Sequence, residues 1–277
     1  MEPYLMLHLD NLSPQKRQAL QALTQDFDPQ NPTIVVYSGP SGVGKGVLRN
    51  ALYTGKSDYG LGYEAKPWQH FQATVSATTR PPRAGEFEGI DYYFMDSHHF
   101  TQKLESNEFL EFKPSGSGDM YGTPKSEIER IRQLGLLPVL EIETEGKKEI
   151  DKLKPDYNVL SVFVLPPASE DSRLKKELSA QVGITLAEQP TLKPLLQALT
   201  IPDLSGQMAT LYSRLNQRNS ENTEKRLLRL AKAVEELKEA SHYDVAIVNG
   251  TLGEAVPKLQ AVLETVYEAS QFPLQKQ

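Results

Sequence analysis

The chain of 277 residues contains no cysteine. That excludes disulfides, thiolate metal sites and cysteine nucleophiles, and is compatible with a cytoplasmic location. No apolar run approaches the roughly 20 residues of a helical membrane span, so no membrane partner is expected. The formal net charge of -6 speaks against a nucleic-acid coat, and no nucleic-acid partner is expected. The opening "MEPYLMLHLDNLSPQKRQAL" lacks a basic start, an apolar signal core and a transit-peptide bias, so this segment is expected to be retained. Histidine is scarce. His98 and His99 form no metal signature, no HExxH occurs, and no hydrolase triad stands out. Metal ligands are therefore left unassigned. Internal repeats and low-complexity tracts are also lacking.

What is present is an alternation of strand-like and helix-like stretches. Hydrophobic content of 39% and charged content of 24% suit a soluble globular protein. Short apolar runs, "TIVVYS" (33–38), "LPVLEIE" (137–143), "VLSVFVL" (159–165) and "DVAIVN" (244–249), read as strands. Helical patterns at 45–53, 145–154, 223–240 and 252–270 lie between or after them. This alternation predicts a mainly parallel sheet covered by helices. Ser13-Pro14 reads as an N-cap and first helical position, opening an amphipathic helix with Leu20, Leu23 and Phe27. Residues 71–135 suggest an antiparallel subdomain, and the leucine-rich, proline-broken stretch 168–212 suggests short helices and turns.

"SGPSGVGKGV" carries the first chemistry. Glycines 39, 42 and 44 allow close backbone approach to an anion, successive N–H groups face it, and Lys45 would reach terminal phosphates. The strand before and the helix after are the context such a loop requires. Ser or Thr normally follows the lysine and ligates Mg²⁺. Gly46 and Val47 stand there instead, so metal handling is expected to weaken while phosphate binding persists. In "VSATTRPPRAGEFEGIDYYF" (75–94), Arg80 and Arg83 flank two prolines. Polyproline II has three residues per turn, so both guanidiniums are expected to converge on one anion, with Tyr92 adding a hydroxyl.

Together these segments resemble the guanylate kinase family. The resemblance covers 33–167 and 213–265, through "SGPSGVGKG", "SATTRPPRAGE", "GIDYYF", "NEFLEF", "YGTP", "VLEIETEG", "FVLPP" and "IVNGTL", in the family's order. It implies an α/β fold, with a P-loop NTPase-type parallel sheet core, an inserted antiparallel GMP-binding subdomain and a helical lid. It implies transfer of the γ-phosphoryl of ATP to GMP, with Mg²⁺ accompanying ATP. ATP would contact Gly39, Pro40, Ser41, Gly42, Val43, Gly44, Lys45, Gly46 and, near the adenine, Asn249. The GMP phosphate would meet Arg80, Arg83, Tyr92 and Tyr121; the guanine would meet Ser76, Glu111, Thr123 and Glu143. Carboxylates suit guanine because its N1 and N2 groups donate, while its O6 accepts from hydroxyls. Arg214 and Arg218 fall on lid arginines and Arg229 on one facing the phosphates, so that with Lys45 they form the implied catalytic set.

The implied organisation is an N-terminal extension with a helix (1–31) and a kinase-like domain over 32–271. Its core is 32–70, 136–167 and 241–271, with the GMP-binding subdomain at 71–135. The lid with an extra segment spans 168–222, and a helix follows at 223–240. Three departures stand out besides the hydroxyl-free loop: Glu143 where the family usually has Asp, the extra segment, and "KPSGSGDMYG" before the "YGTP" tyrosine. The alternative reading is a catalytically impaired binding or scaffold module, motivated by "GKGV". The retained lysine, glycines, lid arginines and acceptor set favour the enzyme.

Overall fold

A computed structural model describes residues 6–57, 62–115, 118–186, 189–217 and 222–270. In chain order, β1 (Leu7–His8) and α1 (Pro14–Ala22) precede β2 (Thr33–Ser38) and α2 (Lys45–Thr54). Then come β3 (Phe71–Ala73), β4 (Ala77–Thr78), β5 (Tyr93–Phe94), α3 (Ser97–Glu105), β6 (Phe109–Pro114), β7 (Met120–Pro124) and α4 (Lys125–Gln133). After β8 (Leu137–Glu141), α5 (Thr144–Asp151) and β9 (Asn158–Leu165), four helices follow: α6 (Ser172–Thr185), α7 (Lys193–Ala198), α8 (Pro202–Gln217) and α9 (Thr223–Lys238). The described chain closes with β10 (Val245–Val248) and α10 (Leu252–Ala269).

The chain divides into two compact units. The first gathers the described residues of Met1–Lys16, Ser38–Pro67 and Val162–Gln260; the second those of Arg17–Tyr37, Trp68–Ser161 and Ala261–Gln277. In the first unit β1 pairs with β10, and β10 with the second half of β9, all parallel, with Val245 opposite Val162. Residues 162–164 and 245–247 are almost wholly buried, as continuous apolar runs in a parallel sheet should be. The β1 strand was not foreseen: two residues carry no readable period. The α1 helix stops at Ala22, with Leu20 buried and Leu23 and Phe27 only half-buried beyond its end.

The segment 168–212 departs from expectation. It builds two long helices, α6 and α8, joined by a 3₁₀ turn (Pro190–Leu192) and the short α7. Leu178, Val182, Leu192, Leu195, Met208 and Leu211 are buried there, and Leu215 just beyond it, packed among α6, α7, α8 and α9. Its prolines break little because each opens a helical turn, where the missing N–H is no loss.

In the second unit β2 pairs with β8 and β8 with β3, all parallel, and the first half of β9 neighbours β2. Although β3 lies within 71–135, it therefore belongs to the parallel sheet. A second sheet has the order β5-β4-β7-β6. The expected antiparallel arrangement is corrected to a mixed one: β4–β7 and β6–β7 are antiparallel, but β4–β5 is parallel. The long excursion between β4 and β5 permits this, where a tight hairpin would not. Ala77, Phe100 and Phe109 form the core beneath, with Tyr93, Met95, Leu104 and Met120 against them. Glu127 is buried beside it, accepting from Val75 N (2.9 Å), Tyr93 Oη (2.7 Å), and Arg130 Nε (2.7 Å) and Nη2 (2.9 Å). Burial alone would raise its pKa, but these donors outweigh it and hold it below the usual glutamate value.

Candidate functional site

Each unit holds one group of the candidate residues. In the first, the chain leaves β2 and turns through 39–44 into α2, as a phosphate loop should. Gly39 has φ +148°, and a Cβ there would stand 2.5 Å from the Val164 carbonyl oxygen, so only glycine fits. Gly44, at φ +93°, is the N-cap of α2 and lies against Asn249 Nδ2. The turn closes through Val43 N donating to Pro40 O at 3.2 Å.

Four side chains converge on this loop. Lys45 Nζ donates to Gly39 O (2.6 Å), and Asn249 Nδ2 to Val43 O (2.8 Å). Arg214, near the end of α8, donates through Nη1 to Val43 O and through Nη2 to Asn249 O, both at 2.8 Å. Arg229 Nη2 on α9 donates to Ser41 Oγ. Leu215 also packs here, its Cδ2 3.1 Å from where a Cβ on Gly42 would be. Burial lowers the pKa of Arg214. Gly46 is different: a Cβ there would meet nothing within 4 Å. The position that lacks the expected hydroxyl thus has room for one. Arg218 lies outside the described residues.

In the second unit, side chains from β6 and β7 line up on one face of their ladder. The ladder sets Glu111 opposite Thr123 and Lys113 opposite Tyr121, and alternation puts all four on one side. Thr123 Oγ1 donates to Glu111 Oε1 at 2.7 Å. Glu111 is 6% exposed, and burial raises its pKa against the opposing Thr123 bond. Its Oε2 would stand 3.0 Å from a Cβ at Gly146 in the first turn of α5. Glu143, the N-cap of α5, pairs with Lys113.

One ladder step away, Tyr121 Oη accepts from Arg80 Nε (3.1 Å), and the Arg80 guanidinium stands 5.1 Å from the Tyr92 ring centroid. Arg80 also makes a bidentate pair with Glu86, at 2.7 Å for each bond, and Nη1 reaches Pro81 O at 2.9 Å. Glu86 further accepts from Arg83 N at 2.8 Å. The Arg80 bonds, then the Arg83 amide, pull the Glu86 pKa down to about 2, and the Glu86 bonds in turn push that of Arg80 up. Burial, first of all, raises the Tyr92 pKa.

The structure therefore brings Arg80, Tyr92 and Tyr121 together, and Glu111 with Thr123. The Arg80 guanidinium is buried and pairs with Glu86, whose carboxylate also accepts from the Arg83 amide and feels the Arg83 charge, while the Arg83 side chain itself is exposed. The two intervening prolines set spacing but not depth. Ser76 is half-buried just before β4, its carbonyl accepting from Tyr93 N at 2.9 Å. Glu86, Lys113 and Gly146 were not singled out from the sequence. A carboxylate three residues after Arg83 and a lysine two after Glu111 were the available signals.

A family model described as Guanylate kinase matches residues 31–187. Among curated relatives, the guanylate kinase of Trichodesmium erythraeum is 32% identical over 235 residues, 84% of this chain and 97% of that protein. That of Mycoplasmopsis pulmonis is 31% identical over 233 residues, 83% and 93% respectively. A crystal structure of guanylate kinase from Anaplasma phagocytophilum covers 84% of this chain and 85% of that one, at 22% identity and a TM-score of 0.48. The chain belongs to the guanylate kinase family.

Proposed function

We propose that the chain transfers the γ-phosphoryl of ATP to GMP, giving ADP and GDP. One observation carries the acceptor. Glu111–Thr123 and Tyr121–Arg80 lie on one face of the β6–β7 ladder, one side-chain repeat of roughly 7 Å apart. That spacing suits the base and phosphate of one mononucleotide. A buried carboxylate beside a hydroxyl reads guanine's N–H donors and O6. Adenine, with an amino group in place of O6 and no N1–H, would leave such groups unpaired, at a cost of about 10⁴ or more in selectivity.

Phosphoryl transfer asks the protein for alignment and positive charge rather than for a strong base, because the GMP phosphate is itself an anionic nucleophile. Residues 39–46 would hold the donor's phosphates through backbone N–H groups, Lys45 would neutralise the β- and γ-phosphates, and Arg214 and Arg229 would add charge beside the loop. Asn249 would lie near the adenine, and Arg218 takes a lid role on the resemblance alone. Arg80, Arg83, Tyr92 and Tyr121 would bind the GMP phosphate; Ser76, Glu111, Thr123 and Glu143 the base. Among the described residues no group of three His, Cys, Asp or Glu side chains could hold a metal ion. With no hydroxyl after Lys45, Mg²⁺ would be carried on the ATP phosphates and its own waters, entering as Mg–ATP and neutralising charge there. Among the described residues no helix is long and apolar enough to cross a membrane. With the absence of cysteine, this supports a cytoplasmic setting. Nothing observed favours the impaired-module alternative.

The test is ADP production from ATP with GMP, run beside AMP, UMP and dTMP across a Mg²⁺ series. Turnover with GMP alone is the expected result. GMP binding without turnover at any Mg²⁺ concentration would overturn the catalytic reading. Lys45→Ala should cut kcat by about 10² or more while leaving GMP binding intact.

A further inference from the structure

Lys113 has no part in the assignments above, yet it stands within the base-reading group. It occupies the β6 position next along the face from Glu111, opposite Tyr121, and its ammonium pairs with Glu143. Glu143 opens α5, and a Cβ at Gly146 in the same turn would stand 3.0 Å from Glu111 Oε2, so both acidic residues lie beside the first turn of that helix. Both charges also act on Glu111 from close range, Lys113 favouring its ionised form and Glu143 opposing it. Two neighbouring carboxylates repel, and such a pair tends to share a proton. A protonated oxygen would turn a donor toward guanine's own donors. A cation held against one carboxylate removes that tendency and fixes the side chain's direction.

We propose that Lys113 is a positioning residue for guanine recognition, acting through Glu143 to keep both carboxylates as acceptors at the base. The inference rests on GMP being the acceptor. The bland alternative is a partly exposed ion pair of little consequence, since the two side chains are 31% and 40% exposed. A position on the recognition face, rather than on the outer face with Phe112, argues against it.

The experiment measures kcat and KM for GMP and IMP at saturating ATP, and the equilibrium Kd for GMP, in Lys113→Met, Lys113→Arg, Glu143→Gln and the Lys113→Met/Glu143→Gln double variant. Lys113→Met should raise the GMP KM and Kd about tenfold with kcat within about twofold, a loss of binding shared by ground and transition states. Preference for GMP over IMP, which lacks the 2-amino donor, should shrink, and Lys113→Arg should restore most of the loss. In the Glu143→Gln background, Lys113→Met should add less than about twofold, because the two act as one unit. An unchanged GMP KM in Lys113→Met, or the full rise persisting in the Glu143→Gln background, overturns the proposal. Should Lys113→Met fail to fold, Lys113→Gln carries the same comparison. Glu111→Gln separates the levels: a raised GMP KM there with none in Lys113→Met defeats only the role of Lys113. Absence of GMP turnover in the unaltered chain defeats the functional reading and this inference with it.

Discussion

At the scale of single residues, two glycines mark opposite situations. Gly146 lies where a Cβ would crowd the Glu111 carboxylate at 3.0 Å. Glu111 is buried and held by Thr123, so it has little freedom to retreat. Gly146→Ala is expected to raise the GMP KM about tenfold and leave the ATP KM unchanged, as steady-state titration of each substrate would show. Gly46 faces open space instead. Gly46→Ser should therefore fold normally and lower the Mg²⁺ concentration needed for half-maximal turnover, by supplying the ligand that such loops usually carry. Glu86 gives a pH prediction. Its folded pKa of about 2 is below the ordinary glutamate value, so the stability from its pairing with Arg80 is complete above that value. It should fade as pH falls toward 2, and less so in Glu86→Gln, a difference that acid titration followed by circular dichroism would reveal.

Residue patterns also limit what the sequence could say. Arg80, Tyr92, Tyr121, Glu111 and Thr123 were legible because each belongs to an ordered set of motifs. Glu86, Lys113 and Gly146 were not, since their roles arise from tertiary neighbours. A glycine in "ETEG" gives no sign that a carboxylate from another strand fills the space beside it.

At the scale of elements, hydrophobic period located β2, β8, β9, β10 and the main helices, because buried parallel strands are continuous apolar runs and amphipathic helices have a readable stripe. Strands of two residues, β1, β4 and β5, lie below that resolution. Prolines 190, 194 and 202 read as breaks and are in fact helix starts, so α6 and α8 came out longer than foreseen. The consequence for α8 is functional. Leu211 and Leu215 are buried on its face, Leu215 lies against Gly42, and Arg214 between them bonds the loop. Leu215→Ala should lower unfolding free energy by about 2–5 kcal/mol in urea titration and also raise the ATP KM, since the cavity adjoins the phosphate loop.

At the scale of the whole molecule, the phosphate-loop group belongs to the first unit and the group of Arg80, Glu111 and Tyr121 to the second. The bonds described for Lys45, Arg214 and Arg229 stay within the first unit, and those of Arg80, Glu111 and Tyr121 within the second. Lys45→Ala and Arg80→Ala should therefore add in their effects on equilibrium GMP binding within about 0.5 kcal/mol, with nearly all of the loss from Arg80→Ala. A larger coupling, measured by calorimetry in a double-mutant cycle, would contradict that independence.

The pairing of β1 with β10 bears on how the protein is made. Leu7 and His8 leave the ribosome long before their partners Val245 and Ala246. A chain emerging at about 5–20 residues per second must hold this strand unpaired for more than ten seconds. The first unit, assembled from three separated stretches, stays incomplete for the same interval. The place of β1 is thus settled only once its distant partner has been made.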